Sequence, residues 1–360
     1  MDDGRLYWDE SAYYAFTLTQ IERHIESATN ELWSLCLGLA AEAVESEATM
    51  ARLGVPSWFM DQVATSWRAQ EPTLYGRFDL AYDGQSPPKL LEINADTPTS
   101  IFEAAVFQWT WLEDLRADRT LPEDADQFNS LHERLIARWR DIVAEPSVHL
   151  ACMDNTEDRV TVEYLADCAN QAGLDPHLML IGDLGIENNC LVDRTGRRVQ
   201  TLFKLYPWEW LLQDPDGRSP AVSATRIFEP AWKMLLSNKA VLAELWRLHP
   251  GHPNLLAAHI DGTPEAARLR EGEHVSKPIH GREGGNVEVV TAGARQMVQG
   301  PYAGPRVVQA LGPLRRTPDG HAVLGSWVVG RRASGLGVRE DVGLVTTNTA
   351  RFIPHAIIGE

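Results

Sequence analysis

At 360 residues, 44% of them hydrophobic and 23% charged, the chain is long enough to bury a multilayered core and has the composition of a soluble globular protein. Its formal net charge of −17 argues against a nucleic-acid partner, which requires a basic stripe that the sequence lacks; it serves solubility and also favours a cationic substrate. No apolar run approaches the roughly 20 residues that span a bilayer, and the start MDDGRLYWDESAYYAF lacks the basic head and apolar core of a signal peptide, so no membrane role and a cytoplasmic location are expected.

Residues 10–70 read as helical, because apolar positions recur with helical spacing in IERHIESATNELWSLCLGLAAEAV before a break at GVPSW and a short helix through Trp67. Residues 76–82 (GRFDLAY) and 89–94 (KLLEIN) alternate or run apolar around DGQSPP, whose Asp83-Gly84 and proline pair are turn signals, which predicts a β-hairpin. A helix from about Ser100 to Asp114 follows. SVHLAC predicts a buried strand, VTVEYLADCANQAG a helix closed by Gly173, LMLIG a strand and LVDRTGRRVQTLFKLY a hairpin. This β-α-β order predicts a parallel-sheet subdomain. Residues 229–247 read as helix, and 265–312 and 320–360 as short strands and turns. Cys36, Cys152, Cys168 and Cys190 form no CxxC pair and have no clustered His, so structural zinc and disulfides are not expected.

Chemistry concentrates in a few segments. Glu92 and Asn94 stand two apart on one hairpin strand and share a face, with Asp79 on the other arm; two carboxylates and an amide oxygen are hard ligands of the kind Mg²⁺ on nucleotide phosphates requires. Arg77 shares the face of Asp79 and can hold a phosphate or a developing oxyanion. The alternative is a surface hairpin with solvated acids, against which stand the flanking Leu90, Leu91 and Ile93. Thr97, Thr99 and Ser100 precede a helix, where they form either an anion site or a plain cap completed by Glu103. In HVSKPIHGREGGNVEVV a strand with Lys277 leads into Gly281, Gly284 and Gly285 and out along another strand: a phosphate-covering lid or an ordinary glycine hairpin, but neither a Walker loop nor a dinucleotide fingerprint. Lys239 opens a helix, where a cation opposes the dipole: either a phosphate ligand resolves the conflict or the lysine is simply solvent-exposed. The apolar strand VVQALGPL ends in Gln309-Ala310-Leu311, able to present backbone hydrogen bonds to an adenine, and Arg339 lies in a glycine-containing strand.

Taken in order, RFDLAYDG with LLEINADTPTS, FKLYPWEW, FEPAWKMLLSNKAVLAELWRLHP, SKPIHGREGGNVEV and the Arg339 strand resemble the synthetase part of the glutathionylspermidine synthase family over most of residues 70–355. LLEIN and the KP…REGGN loop are also similar to eukaryotic glutathione synthetase, whose permuted order likewise puts metal ligands before the glycine lid. The resemblance implies Asp79, Glu92 and Asn94 as Mg²⁺ ligands, and Arg77 and Arg339 as catalytic. It implies Lys239, Lys277, Gly284, Gly285, Gln309 and Leu311 for ATP, Thr97, Thr99 and Ser100 near the acid substrate, and Glu157 and Asp158 facing a polyamine. Glu283 is similar to a metal-binding glutamate of glutathione synthetase. TPTS departs from the family's serine-rich version, which leaves the acid open.

The expected fold is therefore mixed α/β, an ATP-grasp of the permuted glutathione-synthetase-like kind with a helical N-terminal portion. The expected segments are helices at 1–70, the metal-ligand hairpin and core helices at 71–147, a substrate α/β subdomain at 148–262, and the glycine-rich lid with C-terminal strands at 263–360. The expected activity is ATP- and Mg²⁺-dependent joining of a peptide-like carboxylate to a polyamine-like amine through an acyl-phosphate. A kinase or ATPase using the same nucleotide site, and a non-catalytic ATP-grasp interaction protein, are the alternatives.

Overall fold

The structure, a computed structural model, describes residues 6–359; residues 1–5 and residue 360 of the expected end segments lie outside the described residues. The N-terminal portion is helical from Gln20, running through Gln20–Glu26 and Ser27–Ala43, then Glu47–Arg52 and Met60–Arg68; against the expectation of helix from residue 10, Tyr14–Phe16 is a strand paired in parallel with His355–Ile357. The apolar spacing seen in the sequence buries Leu32, Trp33, Cys36 and Leu39 on one face. That face packs on a central antiparallel sheet with strands in the order Arg351–Ile353, Arg332–Asp341, His321–Val329, Tyr75–Ala81, Lys89–Asn94. The sheet thus joins strands from the segments 71–147 and 263–360. Alternation along Tyr75–Ala81 sends Phe78 and Leu80 into the core that holds the N-terminal helices, and Tyr75 into a second core with Leu131, Leu135 and Trp139 of helix Leu131–Ile142.

A second sheet is wholly parallel, in the order Asp175–Leu180, Ser147–Cys152, Thr201–Leu205, Arg226–Phe228, with helix Thr156–Gln171 crossing between its first two strands in sequence. Here the structure departs from expectation. Residues 191–206 do not form one hairpin: Cys190–Val192 pairs with Gly185–Glu187, and Thr201–Leu205 joins the parallel sheet. All five residues of TLFKL are buried, as a strand covered on both faces must be. The helix expected over 229–247 is broken into a 3₁₀ segment, Ala231–Leu236, and helix Ala240–Leu248. The break falls where the Asn238 side chain accepts from Ala240 N at 3.0 Å and Lys239 N donates outward to the Ile279 carbonyl at 2.9 Å. The third sheet is antiparallel, in the order Ala258–Ile260, Arg306–Ala310, His274–Pro278, Glu288–Val290, Arg295–Met297, and carries the glycine-rich loop between its third and fourth strands. Among the described residues no helix is long and apolar enough to cross a membrane. Cys36, Cys152 and Cys168 are buried and all four cysteines are free.

Two buried lysines fasten one end of the hairpin to its surroundings. Lys233 donates to Glu229 (3.0 Å), Thr73 Oγ1 (2.8 Å) and the Tyr75 carbonyl (2.6 Å), while Glu229 accepts from the backbone N–H groups of Leu74 and Tyr75 at 3.0 Å. Lys204 donates to Asp96 (2.7 Å), whose other oxygen accepts from Trp208 N at 2.9 Å. Removing one member of such a pair strands the other charge away from water. Lys233→Met should therefore lower unfolding free energy in urea by about 3–5 kcal/mol; a loss under about 1 kcal/mol would show that Glu229 finds another partner.

Candidate active site

Register builds the first half of the site. Arg77 stands opposite Asn94 and Asp79 opposite Glu92, so all four project from one face of the hairpin. Arg77 grips Asp79 with two parallel bonds (Nε–Oδ1 2.6 Å, Nη2–Oδ2 3.0 Å) and donates from Nη1 to the Thr99 carbonyl at 2.9 Å. The Asn94 amide nitrogen lies between Asp79 Oδ2 (3.2 Å) and Glu92 Oε1 (3.4 Å). Lys239, at the head of helix Ala240–Leu248, reaches Glu92 Oε2 at 3.0 Å and the Gly281 carbonyl at 2.7 Å. Its unfavourable position against the helix dipole is thus offset by a carboxylate and a carbonyl.

Burial works against every charge here, and the neighbours decide the outcome. Burial raises the Glu92 carboxyl, but Lys239 and Lys277 outweigh it and pull the group down to about 2. Asp79 stays above the usual carboxylate range, because burial and the Glu92 charge prevail over Arg77. Lys277 is pushed down to about 8 by burial, with Glu92 opposing and Lys239 adding to the shift. Its ammonium donates to the Leu91 carbonyl and to Gln309 Oε1, both at 2.9 Å, and Gln309 in turn donates to the Leu90 carbonyl at 2.9 Å.

Two cavities meet at this cluster. A polar one of about 270 Å³ lies between the hairpin, the parallel sheet and the glycine-rich loop; a smaller one of about 100 Å³ is mostly apolar, with Leu91, Val275, Val287, Leu311 and Leu344 in its walls and Lys277 among them. Asp79, Glu92, Lys239, Gly281 and Gly284 border both. Gly284 is held at φ +71°, and a Cβ there would fall 2.7 Å from Val345 Cγ1 and 2.9 Å from the Thr346 carbonyl, so only glycine brings the loop this close.

The remaining sequence candidates divide clearly. Arg77, Asn94, Thr97, Thr99, Glu157, Asp158 and Arg339 line the polar cavity. Thr99 Oγ1 donates to Glu157 at 2.6 Å, next to the start of helix Thr156–Gln171, which Asn155 caps. Burial raises the Asp158 carboxyl. Arg339 donates to the Ala350 carbonyl at 3.1 Å, and its Nε is buried without a partner. Ser100, Gly285 and Gln309 line neither cavity. Ser100 is buried beside Tyr7 and Arg339, Gly285 lies against the Tyr302 ring, and the Gln309 amide is taken up by Lys277 and the hairpin backbone. Among the described residues no three His, Cys, Asp or Glu side chains stand within metal-ligand reach of one another; Glu283 lines the polar cavity with Asp79 and Glu92 and accepts from Asn348 at 2.5 Å. Sequence reasoning missed Arg282, Glu209 and Trp210. Arg282 leaves the glycine-rich loop to donate to Glu209 (2.7 Å) and Thr97 Oγ1 (3.1 Å), with its guanidinium 5.1 Å from the centre of the Trp210 ring. Its signal was the arginine inside GREGGN, a segment that stands out for its glycines alone.

The family model for the glutathionylspermidine synthase preATP-grasp matches residues 1–358. A Haemophilus influenzae protein provisionally named an acid–amine ligase is 41% identical, over 99% of this chain and 92% of its own length. Trypanothione synthetase of Crithidia fasciculata is 28% identical over 85% of this chain, and the bifunctional glutathionylspermidine synthetase/amidase of Escherichia coli 24% identical over 97%. The matches cover 50% and 60% of those two longer proteins. Among solved structures, a glutathione synthetase-like effector from Globodera pallida superposes with a TM-score of 0.58 at 11% identity, covering 96% of this chain and 89% of its own, which identifies the glutathione-synthetase-like ATP-grasp type of fold.

Lys277 provides a check on the electrostatics. In metal- and nucleotide-free protein its ammonium should titrate near 8 by NMR of ¹³C-methylated lysines. Glu92 favours the charged form, so Glu92→Gln should lower that value by at least about one unit. An unchanged midpoint would mean that the two groups do not share one field.

Proposed function

The chain belongs to the glutathionylspermidine synthase preATP-grasp family, whose named relatives are ligases, and we propose that it is an ATP-dependent carboxylate–amine ligase working through an acyl-phosphate. The observation that carries this reading is the junction of an apolar cavity and a polar one at Asp79, Glu92 and Lys239. An adenine fits the apolar side, its phosphates lie toward Lys277 and Lys239, and the polar side takes the acid and the amine. In this reading residues 71–147 and 263–360, together with Lys239, supply the nucleotide half and the rest of residues 148–262 the substrate side, against the helical residues 20–68.

The donor set suits Mg²⁺. Asp79 and Glu92 offer hard oxygens, and the Asn94 amide nitrogen now stands between them where a cation would; the same amide turned over presents its oxygen there. Asp79, Glu92 and Asn94 would hold the ion, which supplies charge neutralisation to the nucleotide phosphates.

The chemistry then has two steps. A carboxylate oxygen of the acid bonds to the γ-phosphorus, the bond from that phosphorus to the β-bridging oxygen breaks, and ADP departs with Lys239 and Lys277 countering its charge. The amine, having given its ammonium proton to solvent, attacks the acyl carbon as a neutral nucleophile; the carbon–oxygen bond to phosphate breaks and the second nitrogen proton leaves with the departing phosphate, giving the amide and inorganic phosphate. Arg77 has its fork fixed by Asp79 and Thr99, and together with Arg339 it stabilises the oxyanion of the tetrahedral species. Glu157 and Asp158 at the polar rim attract the cationic amine, and Thr97 and Thr99 contact the acid. The loop bearing Gly284 excludes water from the acyl-phosphate.

Screening acid–amine pairs for ADP release, with mass spectrometry of products, tests this. The expected result is ADP and amide in equal amounts, requiring Mg²⁺ and both substrates, and at least about 100-fold slower with Glu92→Gln. ADP formed equally fast without any amine, or a stable phosphorylated acid, would make the protein an ATPase or a kinase.

A further inference from the structure

A separate cavity of about 560 Å³ shares no lining residue with the two active-site cavities. Its walls contain three tryptophans from three elements: Trp33 of helix Ser27–Ala43, Trp67 of helix Met60–Arg68, and Trp232 of the 3₁₀ segment. Trp67 and Trp232 meet edge to face at 5.2 Å, and Trp33 and Trp232 lie 6.4 Å apart. Trp33 and Trp232 are buried, whereas Trp67 is half-buried.

In a protein of net charge −17 the lining carries three arginines against two acids, Glu45 and Glu71, the latter accepting from the Ser66 hydroxyl. Arg68, Arg138 and Arg331 all border the cavity. Arg68 has a partner in Glu45 at 3.0 Å. Among the described residues Arg138 and Arg331 have no carboxylate within ion-pair distance, and Arg138 uses only its Nε, which donates to the Thr73 carbonyl at 2.8 Å. Arg138 is half-buried, and burial presses its guanidinium toward the neutral form. Glu229 and Asp141 oppose that, and Arg331 adds to it, so the two guanidiniums repel one another. The turn at Gly330, fixed by a 2.8 Å bond from its N–H to the Leu74 carbonyl, holds Arg331 in this place. Arg138 and Arg331 both keep guanidinium donors free beside an indole wall, and an anion that reaches the two forks would use them. Indole faces add stacking for a flat apolar body.

We infer that this cavity is a second ligand site, distinct from the ATP and substrate cavities, for a small planar anion: an aromatic ring that carries a carboxylate or a phosphate. The ring lies against Trp67 above the Trp33–Trp232 floor, and the anionic group is forked by Arg138 and Arg331.

The test is calorimetric titration of the full chain with 2-naphthoate and with 2-naphthyl phosphate, with Mg²⁺ and a saturating non-hydrolysable ATP analogue present to occupy the nucleotide cavity. At least one should bind with a Kd below about 1 mM, and the arm that binds tells carboxylate from phosphate. Neutral 2-naphthol should bind at least about tenfold more weakly, because it lacks the charge the forks recognise. Arg331→Gln alters an exposed side chain that has no ion-pair partner among the described residues and should leave the fold intact, yet weaken the anion at least about tenfold. Trp67→Ala should also weaken it. Binding of neither anion, equal binding of the neutral compound, or full affinity in Arg331→Gln would overturn the proposal.

Discussion

The active-site geometry depends on the two buried lysine–carboxylate pairs that fix one end of a hairpin. Lys233 with Glu229 holds the backbone where strand Tyr75–Ala81 starts, and Lys204 with Asp96 holds it just beyond where strand Lys89–Asn94 ends. These strands are antiparallel, so both fastenings act on the same end, the one that presents Arg77 and Asn94. Both lysines and Glu229 are fully buried, and Asp96 is 2% exposed. Burying such pairs adds little net stability, since desolvation consumes most of the Coulomb gain; what they add is a single backbone position. Lys204 comes from the parallel sheet and Lys233 from the segment before helix Ala240–Leu248, so three separate parts of the chain converge on one strand end.

From that fixed end, alternation carries the rest. Arg77, Asp79, Glu92 and Asn94 need no further device to share a face, and the mutual grip of Arg77 and Asp79 sets the guanidinium plane. Lys239 and Lys277 then approach from two other elements and hold Glu92 ionised despite burial. A site that gathers this many charges away from water keeps them ready for a polyanion, because the reorganisation has already been met by folding.

Much of this was legible in the sequence, for identifiable reasons. The hairpin could be read because its turn residues and its apolar flanks agree, and face-sharing follows from a period of two. The parallel sheet showed through SVHLAC and the helix after it. The strand Thr201–Leu205 was misassigned to a hairpin because Lys204 interrupts its apolar run, and the buried Asp96 that neutralises that lysine lies 108 positions away. The break before Ala240 was hidden for a related reason: Asn238 and the Ile279 carbonyl end the helical ladder, and only the first is local. Gln309 was read for the backbone hydrogen bonds its strand end can offer an adenine; that its side-chain amide positions Lys277 could not be read, because nothing in VVQALGPL shows which way that side chain turns. Arg282 and Glu209 could not be paired without the fold, since 73 positions separate them.

The central claim is that carboxylate and γ-phosphate meet at the junction of the two cavities, and isotope transfer tests it most directly. With an acid substrate labelled with ¹⁸O in its carboxylate, turnover in the presence of amine should place one ¹⁸O in the inorganic phosphate for each amide formed, because the oxygen that attacks phosphorus leaves with it. Phosphate free of label, alongside amide formation, would contradict an acyl-phosphate and, with it, the role of the junction as the place where the two groups react.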